Sequence, residues 1–103
     1  MSYALRLSLR AEQDIDVLYA YFSDYSAERA SQLARICFGA ISDVGRTPYR
    51  WPYVRLTGAP YRARLIRSGQ MTVWLIYLIN EPDRSIEILR LWESRQDPSR
   101  LRN

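Results

Sequence analysis

The chain has 103 residues, a formal net charge of +4, one cysteine and no histidine, and all 15 of its basic residues are arginine. Without histidine or lysine, Ser-His or Cys-His catalysis, histidine metal sites and Schiff-base chemistry are excluded, and a single cysteine excludes an internal disulfide and the usual zinc sites. We therefore expect no metal and no cofactor. A chain of this length forms one domain, residues 1–103, which buries about 60–70% of its unfolded surface.

The charges are unevenly distributed along the chain. Residues 1–45 hold four arginines and six acidic residues, a net charge of −2, whereas residues 46–103 hold eleven arginines and five acidic residues, a net charge of +6. The planar guanidinium group suits recognition of carboxylates or phosphates. The basic half therefore serves either solubility or recognition of an acidic protein or a nucleic acid.

The chain carries no signal for a membrane or for export. No apolar run approaches the ~20 residues that cross a bilayer. The first ten residues alternate too early for the core of a signal peptide. We expect a cytoplasmic protein with no membrane partner.

The first elements in chain order are a strand and a helix. Tyr3 begins a period-two alternation of apolar and polar residues that predicts a strand. Ser8 is then the N-cap of a helix. Acidic residues in the first turns of this helix interact favourably with the positive end of the helix dipole. The apolar face of this helix is formed by Ala11, Ile15, Leu18, Tyr19 and Phe22.

A second amphipathic helix begins at Ser26, and a short joint makes the two helices an antiparallel hairpin. Its stripe contains Cys37, which we expect to be a buried structural thiol. Gly39 is expected to allow close packing against the first helix, and Gly45 is expected just beyond the helix end. The stripe consists of Ala30, Leu33, Ala34, Cys37, Ile41 and Val44.

Residues 46–60 are predicted to form a loop that combines prolines with arginines and the aromatic residues Tyr49, Trp51 and Tyr53. Such a loop is either a recognition surface for RNA bases or a protein, or a cover in which Trp51 and Tyr53 fold back over the edge of the core.

The rest of the chain predicts three antiparallel strands, Tyr61–Arg67, Met71–Ile79 and Ser85–Trp92, because their connections are too short for parallel crossovers. The element order is then β-α-α-β-β-β. The fold class is α+β in two layers, an N-terminal strand and a three-strand meander with the helical hairpin packed on one face of the sheet.

The middle strand is apolar on both faces. One set points one way, namely Val73, Leu75, Tyr77 and Ile79, and the other set points the opposite way, namely Thr72, Trp74, Ile76 and Leu78. One face meets the helices, and the other is left open, which marks an interaction site. We expect arginines to rim this open face, and the predicted binding residues are Arg62, Arg64, Trp74, Ile76, Leu78, Arg90, Trp92 and Arg95.

The chain resembles the RelE/ParE toxin superfamily of toxin–antitoxin systems over nearly its whole length. The resemblance rests on the element order and on the segments LSLRAEQDIDVLYAYF, VWLIYLI and ILRLWESRQDP, with Pro48 after the second helix and Tyr61-Arg62 opening a strand. It implies a toxin neutralised by a cognate, ParD-like antitoxin in a hetero-oligomeric complex.

The superfamily offers two activities. ParE-type members inhibit DNA gyrase, and RelE-type members cut mRNA in the ribosome. RelE-like ribonucleases often carry a basic residue where this chain has Trp74, and many relatives carry a histidine where it has Glu93. The resemblance therefore favours the ParE type. The alternative is a ribosome-dependent mRNA endoribonuclease that uses Arg62, Arg64 and Arg90 on phosphate and Glu93 or Tyr61 for proton transfer. A third hypothesis is a protein of the toxin fold that has lost its activity and serves as a binding module.

Overall fold

The computed structural model describes residues 3–24, 26–54, 60–68 and 71–93, and Arg95 lies outside these described residues. The elements in chain order are β1 Ala4–Leu7, α1 Leu9–Ser23, α2 Ala27–Arg46, a 3-10 turn Pro48–Arg50, β2 Tyr53–Val54, β3 Tyr61–Ser68, β4 Met71–Asn80 and β5 Ser85–Glu93. The predicted α+β order is confirmed. The two-residue strand β2 is an addition, because it lies in the segment predicted to be a loop.

The sheet has the strand order β1-β5-β4-β3-β2, with β4 in the middle. Strand β1 runs parallel to β5, and the other neighbouring strands are antiparallel. Helix α1 packs on β5 and helix α2 on β3, so the helical hairpin covers one face of the sheet. The first strand, β1, is hydrogen-bonded to the last strand, β5, and lies at one edge of the sheet.

Both predicted helix caps are present. The Ser8 hydroxyl accepts a hydrogen bond from the Ala11 N–H at 3.0 Å, and the same hydroxyl donates to the Leu89 carbonyl at 2.9 Å. The Ser26 hydroxyl accepts from the Arg29 N–H at 3.3 Å. Each serine satisfies an amide that the first helical turn leaves without a partner, and Ser8 also ties the start of α1 to β5.

The expected roles of the two glycines in α2 are wrong. A Cβ built on Gly39 would meet nothing within 4 Å, so this glycine does not permit close packing against α1. Gly45 lies inside the helix, which continues to Arg46. A Cβ on Gly45 would lie 3.0 Å from Leu5 Cδ1, and the Gly45 carbonyl accepts a hydrogen bond from the Tyr3 N–H at 2.9 Å. Gly45 therefore allows β1 to approach the end of α2.

The core lies between the helices and one face of β4. Four alternate residues of β4 are buried in it, namely Met71, Val73, Leu75 and Tyr77. The register between β4 and β5 shifts at Ile76 and Tyr77, where Ile76 lies opposite Arg90 and Tyr77 opposite Ile88. Leu89 is thus an extra residue in β5, a bulge that reverses which face the following side chains occupy.

Candidate functional site: the open sheet face and its edges

The face of the sheet away from the helices carries a row of large apolar side chains. Trp74 lies opposite Leu65 on β3 and opposite Trp92 on β5. Trp74 is 38% exposed, whereas Ile76 and Trp92 are each only 4% exposed. Among the anchors predicted on this face, Trp74 is thus the accessible one, Leu78 is half-buried, and Ile76 and Trp92 are buried.

Trp92 has a buried indole nitrogen, Nε1, for which the described residues supply no hydrogen-bond partner. A buried donor without an acceptor costs about 1–3 kcal/mol. The guanidinium of Arg90 lies 4.6 Å from the Trp92 ring centroid, a distance suited to a cation–π contact. The bulge is what brings these two side chains to the same face as Trp74.

Arg90 turns around the edge of the sheet to helix α1. Its Nε and Nη2 donate to the two carboxylate oxygens of Asp14 at 2.8 and 3.0 Å, and the Leu91 N–H donates to the same carboxylate at 2.9 Å. The side chains of Arg90 and Asp14 are each 15% exposed. This bidentate pair joins α1 to the part of β5 that extends beyond β1.

The expected placement of Arg62 and Arg64 on the rim of the open face is wrong. These residues lie opposite Tyr77 and Leu75, two core residues, and therefore belong to the helix side of the sheet. Arg64 donates to the Ala40 carbonyl at 3.0 Å and to the Asp43 carboxylate at 3.3 Å. The outward neighbours of Trp74 and Ile76 on β3 are instead Leu65 and Ala63, because side chains alternate along a strand.

Arg62 and Arg64 stack on the aromatic residues that follow α2. The guanidinium of Arg62 lies 4.1 Å from the Tyr53 ring centroid and 5.0 Å from that of Tyr49, and that of Arg64 lies 4.5 Å from the Trp51 ring centroid. Arg62 also donates to the Trp51 carbonyl at 2.5 Å. These contacts fix the two arginines against their own chain.

The two interpretations of this loop each hold for different residues. Trp51 is half-buried and packs against the core cluster, as the covering role predicts. Tyr49 and Tyr53 are 52% and 62% exposed, so Tyr53 does not cover the core. The described part of the loop is thus a cover at Trp51 and an accessible surface at the two tyrosines.

The side chains expected to form a ribonuclease site lie in separate places. Arg62 and Arg64 are on β3 beside α2, whereas Arg90 and Glu93 are on β5 beside α1, and β4 separates the two strands. Neighbouring strands are ~4.8 Å apart, so the two pairs are ~10 Å apart across the sheet before any side chain extends. Glu93 is only 8% exposed and lines a groove of about 460 Å³ with Asp14 and Leu91.

The sequence reasoning missed a cluster around Glu81, in the turn between β4 and β5. The hydroxyls of Tyr3 and Tyr49 both donate to Glu81 Oε2, the first of them at 2.8 Å. Both hydrogen bonds lower the pKa of the Glu81 carboxyl, and the bond from Tyr49 has the larger effect. The same carboxylate raises the pKa of Tyr49 to about 12 and raises that of Tyr3. No local pattern reveals the cluster, because its members come from three distant parts of the chain.

We expect Tyr49→Phe to reduce stability at neutral pH but progressively less in acid. Because the Glu81 pKa is lowered in the folded state, its contribution is present above the unfolded pKa of about 4.3 and is lost as pH falls through the folded value. Urea unfolding of the wild type and the variant from pH 7 to pH 3 measures this difference. Tyr53→Phe is the matched control, since Tyr53 stacks on Arg62, and its difference should stay constant with pH. If the loss of unfolding free energy caused by Tyr49→Phe grew as the pH fell, the hydrogen bond from Tyr49 would not be what lowers the Glu81 pKa.

The remaining expectations from the sequence concern the reactivity of the thiol, metal binding and membrane-spanning helices. Cys37 is buried, as predicted, and burial raises the pKa of its thiol to about 11, so little reactive thiolate forms at neutral pH. The described residues contain no group of three or more histidine, cysteine, aspartate or glutamate side chains placed to hold a metal ion. In the same part of the chain, no helix has the length and apolar character needed to cross a membrane.

The comparisons with known proteins identify the fold. No family model and no curated protein matches the chain. A chain of the chromosomal ParDE TA system from P. aeruginosa superposes with a TM-score of 0.65 at 15% identity, covering 87% of this chain and 94% of that one. A chain of the toxin-antitoxin complex RelBE2 from Mycobacterium tuberculosis does so with a TM-score of 0.58 at 21% identity, covering 88% and 90%. The fold implied by the RelE/ParE resemblance is therefore confirmed.

Proposed function

We propose that this chain is the toxin of a two-component toxin–antitoxin system of the ParE type, which inhibits DNA gyrase and so arrests growth without catalysing a reaction. A cognate antitoxin holds it inactive in a hetero-oligomeric complex. The fold shared with the ParDE TA system and with the RelBE2 toxin-antitoxin complex supports the toxin role. At this level of identity the fold is common to both, so the choice of target rests on the site.

We favour a ParE-type inhibitor because two of the arginines are already bound to other groups of this chain. Phosphate recognition and proton transfer need convergent groups that are free to meet a substrate. Arg90 is held by Asp14 in a bidentate pair, and Arg64 is held by Asp43 and a helix carbonyl. With Glu93 and Arg90 on another strand than Arg62 and Arg64, this arrangement favours a binding surface over a ribonuclease site.

The binding surface that we propose for the antitoxin or the target is the open sheet face. Trp74 is its accessible anchor and Leu78 adds a half-buried apolar side chain. The buried side chains of Ile76 and Trp92 support Trp74 from the sheet, and the Arg90 guanidinium, whose charge is paired with Asp14, lies beside the Trp92 ring. Tryptophan beside arginine is a composition typical of interface residues that dominate affinity.

The test is a short pulse of expression in cells that lack the antitoxin, with two measurements made together. We expect DNA breaks and a DNA-damage response, because a trapped topoisomerase leaves cleaved DNA, while mRNA stays intact. Co-expression of the protein encoded by the adjacent reading frame should abolish both the breaks and the growth arrest. Rapid mRNA cleavage with undamaged DNA would instead establish the endoribonuclease, and unaffected growth would overturn the toxin role.

A further inference from the structure

Two exposed tyrosines, Tyr49 and Tyr53, stack on Arg62, a residue on the helix side of the sheet. They are 52% and 62% exposed, and the Arg62 guanidinium lies 5.0 Å and 4.1 Å from their ring centroids. We name these three side chains the tyrosine surface. Because Trp74 lies on the opposite face of the sheet, the tyrosine surface is distinct from the open face. Clusters of exposed aromatic side chains mark interaction sites.

Arg62 is fixed in place by its own chain. Arg62 and Tyr53 are partners in the antiparallel pair of β3 with β2, which puts their side chains next to each other on one face. The Arg62 guanidinium also donates to the carbonyls of Trp51 and Tyr49, at 2.5 and 3.4 Å. Arg62 is therefore held against both rings before any partner binds.

Tyr49 is held by residues distant in sequence. Its hydroxyl donates to the Glu81 carboxylate, in the turn between β4 and β5, which also accepts from the Tyr3 hydroxyl. The hydroxyl of the buried Tyr77 donates to the carbonyl of Pro48, the residue before Tyr49. A surface whose side chains already hold one conformation loses little conformational entropy when it binds. The tyrosine surface is therefore preorganised for a partner.

The contacts of Arg62 favour a protein over a nucleic acid as that partner. Nucleic acids are bound by free cationic groups that meet phosphates and by open ring faces on which bases stack. Here the guanidinium covers one face of each tyrosine ring, and its donors already meet backbone carbonyls. Rigid tyrosines beside an arginine are instead typical of the residues that dominate the affinity of protein–protein interfaces.

The surroundings of the tyrosine surface are basic. In the described part of the chain, ion pairs, hydrogen bonds and ring contacts join it to a set of five guanidinium groups and two carboxylates. These are the groups of Arg46, Arg50, Arg62, Arg64 and Arg84 and of Asp43 and Glu81. Such an excess of positive charge attracts a partner with an acidic surface and disfavours a basic one.

We propose that the tyrosine surface is the part of this toxin that docks on its protein target, against an acidic face of that target. Tyr49 and Tyr53 supply rigid apolar contact, and the surrounding arginines meet carboxylates of the target. The open face is then left to the antitoxin, so that toxicity and antitoxin binding depend on different side chains. The inference rests on the proposed function, because it takes the chain to be a toxin that acts by binding a protein.

The first test compares Tyr53→Ala with Tyr19→Ala, which removes another exposed tyrosine, 44% exposed on α1. The binding of each full-length variant to purified DNA gyrase is measured, and so is its binding to the protein encoded by the adjacent reading frame. We expect Tyr53→Ala to weaken binding to gyrase by about tenfold or more, and to change binding to the adjacent-frame protein by no more than about twofold. Tyr19→Ala should change neither affinity by more than about twofold.

Two results for Tyr53→Ala would overturn the proposal. One is binding to gyrase that is as tight as that of the wild type. The other is an equal loss of affinity for both partners, because a general loss of structure acts on both. Growth arrest on pulse expression is the matching measurement in cells, and it should be lost with Tyr53→Ala and kept with Tyr19→Ala.

A second pair of variants tests Glu81 as a positioning residue. Glu81→Ala removes the acceptor that holds the Tyr49 hydroxyl, whereas Glu81→Gln removes the same charge and keeps a carbonyl acceptor. We expect Glu81→Gln to bind gyrase about threefold or more tightly than Glu81→Ala, since the two differ in the hydrogen bond and not in charge. Equal binding by the two variants would show that the hold on Tyr49 does not preorganise the surface.

A single-stranded RNA oligonucleotide is the probe for the nucleic-acid alternative. If the wild type binds this RNA through Tyr53 and does not bind gyrase, the proposed function and this inference both fail. If the wild type binds gyrase and Tyr53→Ala binds it equally well, the proposed function stands and this inference alone fails.

Discussion

Asp14→Ala is expected to lower the free energy of unfolding by about 3 kcal/mol, a large share of the stability of a small domain. The Asp14 carboxylate accepts two hydrogen bonds from Arg90 and one from the Leu91 N–H. Both charged side chains are 15% exposed, so removal of the carboxylate leaves a largely buried guanidinium without a counterion. Urea unfolding of the variant and the wild type at pH 7 measures the loss.

Two controls identify the cause of this loss. Asp16→Ala removes an exposed carboxylate from the same helix and should change stability by no more than about 0.5 kcal/mol. The double variant Asp14→Leu with Arg90→Met removes both charges, and it should recover most of the stability because no charge is left uncompensated. If Asp14→Ala costs less than about 1 kcal/mol, the pair does not stabilise the contact between α1 and β5.

Leu75→Ala is expected to cost about 3–4 kcal/mol, whereas Trp74→Ala should cost about 1 kcal/mol. Leu75 is 0% exposed in the core cluster, and the cavity left by its side chain cannot close fully. Trp74, its neighbour on β4, faces the other side and is 38% exposed, so less of its surface leaves water on folding. Thermal and urea unfolding compare the two variants directly.

The same pair of variants should have the opposite order in binding. Trp74→Ala should weaken the complex with the adjacent-frame protein at least tenfold, which corresponds to about 1.4 kcal/mol, because it removes the accessible anchor of the open face. Trp74→Phe keeps an aromatic ring there and should weaken it less. Leu75→Ala, measured where it is still folded, should leave affinity nearly unchanged. Unaltered binding by Trp74→Ala would exclude the open face as the interface.

The elements of the fold were accessible from local patterns. Apolar period, serine caps and turn residues predict both helices and the three long strands, because these signals act between residues a few positions apart. The central position of β4 also followed, since a strand apolar on both faces must be covered by neighbours. The short strand β2 and the role of Gly45 did not follow, because they depend on what lies beside them in space.

The candidate site was only partly accessible from the sequence. Trp74 was correctly identified as a large apolar side chain on the open face, and Arg90 and Trp92 lie on that face as expected. The prediction that Arg62 and Arg64 lie on the open face was wrong, because both lie on the helix side of the sheet. A one-residue difference in strand register moves every side chain to the other face, and nothing in a list of residues gives the register.

The sequence by itself determined the order of helices and strands, the two-layer α+β class, the absence of histidine and lysine chemistry, and a surplus of arginine in the second half of the chain. Only the tertiary structure decided what those arginines do. The bulge at Leu89 turns Arg90 and Trp92 to the open face, while the register of β3 turns Arg64 to the helices. Arg90 and Arg64 then meet partners distant in sequence, as Arg90 meets Asp14 across 76 positions. Such pairings depend on packing between elements, which local sequence patterns do not encode.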